Sequence, residues 1–329
     1  MLSRIRALLI VLSAASLTMA AHAQGILRVT SPANGAFVGN STVINFTVEM
    51  ATFEVTVTAQ ITRTGGGAST TLQTRVTPDP TNHNATGTLT WNPSQSFPEG
   101  SYDITVSAME TGNTYTPVML TVTLDRIAPR LIEFSPINNS FINGPITITA
   151  RIDEPNIDNW RVTVNDADLP DNTSSTSNVS VLWDPSNIEV DGPQTVKIIV
   201  KDLARNESTQ TISVRLDRAP PNLVVNFPQQ NTAIRPASIV TVLVDVVDST
   251  GDSVDPLAIK VEIRNLSGVV LRRVSRLRYD NVNSTTARWV GRWRAILPPG
   301  NQNFKLVVSG VDRAGNVAVT QEVLLHFGR

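Results

Sequence analysis

Oxygen and guanidinium groups make up the reactive inventory of this chain. Its 329 residues include no cysteine and only three histidines, His22, His83 and His326. The lack of Cys removes disulfides, thiolate metal sites, iron–sulfur clusters and cysteine nucleophiles together. Three scattered His exclude a His-rich zinc site and leave a Ser-His-Asp triad little to draw on. No P-loop, H-E-x-x-H or G-x-S-x-G stands in the sequence. A carboxylate pair can hydrolyse glycosides, but no pair is singled out here, and the chain is read as non-enzymatic. Two sets of residues stand out instead. Carboxylates recur at turns and junctions: Asp125, Asp153, Glu154, Asp202, Asp217, Asp248 and Asp312. Arginines recur at alternate positions: Arg272, Arg276 and Arg278, then Arg288, Arg292 and Arg294.

The elements that must position them are strands. The chain is 41% hydrophobic and 17% charged, enough apolar content for packed cores. Tyr102, Ile104, Val106 and Ala108 alternate with Asp103, Thr105 and Ser107, and Ile146, Ile148 and Ala150 with Thr147 and Thr149. Phe304, Leu306 and Val308 continue the pattern, which is that of half-buried strands. Turn clusters such as Pro98-Glu99-Gly100, Asp191-Gly192-Pro193 and Pro298-Pro299-Gly300 separate them. Beyond the first residues no window has helical periodicity, so the chain reads as all-β.

The first residues are an export signal. Arg4 and Arg6 precede an uncharged apolar run from Ala7 to Ala21, and Ala21-His22-Ala23 is a small-x-small cleavage pattern. Residues 1–23 are read as a signal peptide. The run is shorter than the ~20 residues that span a bilayer, no later segment approaches that length, and no transmembrane anchor is expected. The mature chain is expected to be secreted, periplasmic or at the cell surface. Small secreted domains without disulfides point to a bacterium, where sequons such as Asn40-Ser41-Thr42 and Asn172-Thr173-Ser174 carry no default meaning.

The mature chain compares with itself at a fixed offset. Asp125-Arg126-Ile127-Ala128-Pro129 matches Asp217-Arg218-Ala219-Pro220-Pro221, 92 residues on. Ser31-Pro32-Ala33-Asn34, Ser135-Pro136-Ile137-Asn138 and Phe227-Pro228-Gln229-Gln230 are one element in three copies. Trp91, Trp183 and Trp293 are another, each followed by a turn that ends in Asn113, Asn206 or Asn316. Three repeats result: 24–125, 126–218 and 219–329. About 100 residues and seven short strands apiece suit Ig-like β-sandwiches, with the Trp between the sheets and the Asn tolerating a left-handed turn.

Val200-Lys201-Asp202-Leu203-Ala204-Arg205-Asn206, with Asp217-Arg218-Ala219-Pro220-Pro221 one strand later, and Val311-Asp312-Arg313-Ala314-Gly315-Asn316 resemble the Big-type bacterial Ig-like repeats. Those occur in secreted surface proteins and adhesins. Repeat one departs, since Met109-Glu110-Thr111-Gly112-Asn113 lacks the Asp. The resemblance implies tandem sandwiches outside the cytoplasm and leaves the ligand open.

In such a topology the turn between the last two strands lies at the end where the domain begins. Asp202 should then face Asp125, with Asp153 and Glu154 nearby, and Asp217, Asp248 and Asp312 form the matching set. Clustered hard oxygens suit Ca²⁺, and some adhesin Ig-like repeats stiffen their junctions with it. The alternative is that each Asp only bonds nearby backbone N–H groups. Charge is uneven too. Repeats one and two each carry a net −4, and repeat three has thirteen Lys/Arg against eight Asp/Glu, +5. If their strands pair, Arg272, Arg276, Arg278, Arg288, Arg292 and Arg294 crowd one face. That face either guards an edge or meets an anionic partner: surface polysaccharide, lipid headgroups or the acidic repeats of another copy. Nucleic acid is the wrong partner for the compartment.

Function then reads as a binding or adhesion module of the envelope, or alternatively as a structural spacer or assembly component. The connections Asp125–Pro129 and Asp217–Pro221 are short and contain Pro, which restricts φ there and in the preceding residue. An extended array is expected. Small-angle scattering of the mature chain should give a radius of gyration well above the ~19 Å of a compact body of this length.

Overall fold

The computed structural model describes residues 24–170, 173–248, 259–283 and 285–328. The leader 1–23 and Asn172 lie outside the described residues. The fold is all-β, in three Ig-like sandwiches, each with its own buried cluster. No helix among the described residues is long and apolar enough to cross a membrane.

In the first sandwich one sheet orders Ala85–Trp91, Thr42–Glu49, Gln24–Ser31 and Thr114–Tyr115. The facing sheet orders Phe37–Val38, Val118–Leu124, Gly100–Met109, Val55–Arg63 and Ser69–Val76. Alternation decides which side chains meet between them: Val55, Val57, Ala59 and Ile61 are fully buried while the threonines between them face out. The second sandwich faces Arg130–Ser135, Ile146–Asp153 and Asn178–Trp183 with a sheet centred on Gly192–Asp202 and Glu207–Leu216. The third faces Asn222–Phe227, Ile239–Val247, Thr286–Arg294 and Arg278–Asn283 with a sheet centred on Asn303–Ser309 and Gln321–Phe327. Lys260–Asn265 and Val270–Arg273 complete that second sheet at its edge.

The repeated Pro element marks where the chain changes sheets. Pro32, Pro136 and Pro228 follow cis peptide bonds. Two residues on, the side-chain oxygens of Asn34, Asn138 and Gln230 accept from Thr121, Ser213 and Leu324 N–H at 2.8, 2.8 and 2.9 Å. The next residue, Gly35, Asn139 or Asn231, has a left-handed backbone (φ 83, 63 and 64°). Its N–H donates to Thr121, Ser213 or Leu324 carbonyl at 2.7, 2.7 and 2.8 Å. Each crossing is thus pinned twice to the last strand of its own sandwich.

Trp91, Trp183 and Trp293 are 1, 3 and 4% exposed and fill the space between sheets. Trp91 packs against Tyr102 and Phe97, and the Tyr102 hydroxyl donates to Pro98 carbonyl at 2.8 Å, a corner found in many Ig-like folds. Contacts divide the described chain into two units, one up to Ile127 together with Leu203–Arg205, the other comprising the remainder. Trp91→Ala should destabilise the first sandwich by roughly 3–5 kcal/mol. Hydrogen exchange should show protection lost across 24–125 and retained in the other two cores.

Candidate metal centre and arginine face

The sequence motif Asp-x-x-x-Asn folds into a clasp. In the turn after Gly192–Asp202, Asn206 donates its backbone N–H and its side-chain amide to the two carboxylate oxygens of Asp202, both at 2.8 Å. Asn316 does the same to Asp312, again at 2.8 and 2.8 Å. The left-handed residue of each turn is the one before the Asn: Gly112, Arg205 and Gly315, at φ 79, 70 and 92°. The expectation that the Asn itself supplies the left-handed conformation is therefore corrected. Its side chain is what the turn needs.

Asn316 also reaches the linker between the second and third sandwiches. Its amide donates to Asp217 carbonyl at 2.9 Å and to Ala219 carbonyl at 3.4 Å, and its oxygen accepts from Asn143 at 3.2 Å. Arg313 lies 5.7 Å from the Phe141 ring centroid. From the other side, Asp191 holds Arg218 through its backbone N–H (2.6 Å) and its Nε (2.7 Å). Arg126 repeats this device in the first sandwich, its N–H and Nε meeting Glu99 at 3.0 and 2.7 Å. Sequence reading missed these anchors, although the Asp-Arg pairs and the acidic residues before Gly100 and Gly192 recur in it.

This clasp brings three carboxylates together. Asp217, Asp248 and Asp312 are 0, 2 and 4% exposed, and each offers an oxygen within 4.8 Å of the others. Asp217 follows the last strand of the second sandwich, Asp248 follows Ile239–Val247, and Asp312 starts the clasp. Burial pushes the Asp312 carboxyl above its ordinary value; the Asn316 hydrogen bonds pull it down, and the charges of Asp217 and Asp248 push it up again. Three buried carboxylates with hard oxygen donors fit Ca²⁺, which takes six to eight oxygens, and not a thiophilic metal. Asp217, Asp248 and Asp312 are the residues that would hold it.

Several carboxylates of the set also serve local turns. Asp217 and Asp125 each use one oxygen for a local turn, accepting from Ala219 and Ile127 N–H at 3.2 and 3.1 Å. Glu154 accepts from Asn156 N–H at 2.8 Å, and Asp202 is fully buried against Asn206. Asp153 is exposed on its strand and pairs with Arg130 at 3.1 Å, so its side chain is committed there rather than to a buried centre. It lies at the outward register position opposite Arg130.

Repeat one supplies a control. Glu110, at the Asp position, is 7% exposed and is met entirely by protein donors. It accepts from Thr52 and Phe53 N–H at 2.6 and 2.5 Å, from the Tyr115 hydroxyl at 2.6 Å and from Asn113 at 3.4 Å. Burial raises its carboxyl, but these bonds outweigh burial and hold it below the ordinary value, while Tyr115 is pushed up.

The arginines do not all share a face. Arg272 lies on Val270–Arg273, at the edge of the opposite sheet, because the chain crosses over before Arg278. The six-arginine face is corrected to those of one sheet. Arg288, Arg292 and Arg294 point outward on Thr286–Arg294, and Arg278 faces Val290 on the neighbouring strand. Asp245 holds Arg288 at 2.7 and 2.9 Å, and Asp280 takes Arg278 at 3.1 Å. Arg294 donates to Ala237 carbonyl at 3.4 Å. Arg276 and Arg292 open instead onto a groove.

No family model matches the chain, and no curated protein does. Among solved structures it is similar to the fibronectin(III)-like modules of Clostridium thermocellum CbhA, at 12% identity and TM-score 0.40 over 60% of this chain and 94% of that one. It is similar to titin domains I67–I69 at 11% identity and TM-score 0.37, over 92 and 97%. A tetra-tandem repeat from the extending region of a large adhesion protein matches at 15% identity and TM-score 0.31, over 93 and 74%. Likeness at this level leaves the chain's own residues as the ground for its function.

Because the folded Glu110 value is lowered, its stabilisation is present above the ordinary 4.5 and is lost as pH falls through the folded value. Denaturant titrations of the first sandwich should show this acid loss. Glu110→Gln should blunt it, and at neutral pH should cost about 1–3 kcal/mol by mismatching buried donors.

Proposed function

We propose that the chain is a secreted, non-catalytic Ig-like repeat protein of a bacterial envelope or cell surface, a binding or adhesion module stiffened by Ca²⁺ at its second junction. The leader-like residues 1–23 and the resemblance to Big-type repeats support the compartment. Non-catalytic fits the placement of the reactive groups: the buried carboxylates gather on a linker and the arginines on a sheet face. The observation that carries the reading is the meeting of Asp217, Asp248 and Asp312 on a linker that Asn316 and Arg218 already hold. A bound Ca²⁺ would neutralise that charge and tie the linker to two loops of the third sandwich. Extracellular modules bind Ca²⁺ at ~10⁻⁴–10⁻³ M, in keeping with such a compartment.

A clamped linker also favours the spacer reading, in which the stiff junction is itself the function. Calcium titration of the mature chain tests the common part. Ca²⁺ at a hundredfold over its Kd should stabilise the chain by about 2.7 kcal/mol, with a higher melting temperature than in EDTA. Asp217→Asn with Asp312→Asn should abolish the response. If EDTA changes neither melting temperature nor hydrodynamic radius, the calcium reading is wrong. Retention on cell envelopes separates a binding module from a spacer.

A further inference from the structure

Arg276, Arg278 and Arg292 line an open groove of about 600 Å³ on the third sandwich, together with Ser275, Asp280 and Val290. Val290 pairs with Arg278 in the register, and Arg292 stands two residues further along the same strand, on the same side. Arg288, at the other side of Val290, is neutralised by Asp245. Arg278 is bound to one oxygen of Asp280. The side chains of Arg276 and Arg292 make no hydrogen bond or ion pair among the described residues. The groove therefore holds three guanidinium groups to one carboxylate. Like charges at neighbouring strand positions repel, so an anion seated there relieves a strain the fold otherwise carries.

The other linings narrow the anion. Guanidinium groups match carboxylates with two parallel hydrogen bonds. Asp280 and Ser275 accept hydrogen bonds from hydroxyls, and Asp280 repels a densely charged chain. Val290 gives the floor an apolar patch against which the C–H face of a sugar ring can lie. We infer that this groove binds the carboxylates of a linear uronic-acid polysaccharide. The inference rests on the binding reading above and names its ligand class. None of its residues belongs to the carboxylate centre.

The test uses the full mature chain and hyaluronan oligosaccharides, measured by calorimetry in calcium and again in EDTA. Binding should be present in both, should weaken steeply with salt, and should be absent for neutral dextran. Arg276→Ser with Arg292→Ser should weaken it by about tenfold or more, while Arg272→Ser, on the other sheet, should leave it unchanged. Both substitutions replace exposed side chains, and an unaltered melting temperature checks the fold. Failure to bind hyaluronan, equal binding by the groove variant, or stronger binding of poly-glutamate each overturns the inference. Loss of binding in EDTA alone would assign it to the calcium centre and overturn it as well. A chain that binds hyaluronan in EDTA but shows no thermal response to calcium would leave this groove standing and remove only the calcium reading.

Discussion

The junction between the second and third sandwiches depends on one side chain, Asn316. Its amide nitrogen is shared between the Asp312 carboxylate and two linker carbonyls, so the turn, the linker and the buried acid are fixed together. Remove that amide and Asp312 loses a donor while Asp217 and Ala219 carbonyls lose theirs, in a place that water does not easily reach. Burial of the acid also depends on the clasp, since a carboxylate held by two short bonds can lie among apolar strands at a tolerable cost. The convergence of three acids follows from this arrangement. The linker must pass close to Asp312 to reach Asn316, and it brings Asp217 with it.

Much of this was legible beforehand, for physical reasons. Alternation of apolar and polar residues survives in any half-buried strand, so the all-β architecture and the inward-facing tryptophans could be read directly. Topology likewise pointed to the meeting of Asp217 with Asp312, because it sets which ends of the Ig-like strands lie together. Conformation at single residues was not legible. The residue preference of Asn206 and Asn316 points to a left-handed backbone there, yet that conformation falls on Arg205 and Gly315. Sequence gives residue preference, and Asn serves equally well as a turn former or as a bidentate partner for a carboxylate. Asp153 shows the same limit. Asp153 ends its strand opposite Arg130, whereas Glu154 already belongs to the turn that follows, and only the register shows this.

The arginines illustrate a second limit. Parity along a strand predicts a face only while the residues stay in one strand. Between Arg273 and Arg278 the chain leaves one sheet for the other, with Arg276 in a left-handed conformation at φ 60°. The count of like charges was right, but their neighbours were hidden in distant sequence. Asp245, 43 residues from Arg288, neutralises it through the register of two adjacent strands. What remains unneutralised is smaller than the sequence suggested and better defined, because it is bounded by Asp280 on one side and an apolar floor on the other.

Repeats one and three solve one electrostatic problem in different ways. A carboxylate buried at the turn before the last strand needs compensation, since its charged form is costly away from water. In repeat one Glu110 has one more methylene than Asp, and that length carries its oxygens to two backbone N–H groups and the Tyr115 hydroxyl. Its charge is settled inside the protein, and its lowered pKa records that. In repeat three the shorter Asp312 meets Asn316, and Asp217 and Asp248 each bring an oxygen within 4.8 Å of it. Its raised pKa records an unfavourable arrangement that the chain keeps nonetheless. Keeping all three makes sense when a cation completes the set, because the same repulsion that weakens the ion-free junction then becomes attraction to the ion. Under the proposed calcium reading the fastening in repeat three would follow the ion concentration, whereas Glu110 in repeat one is held by protein donors alone.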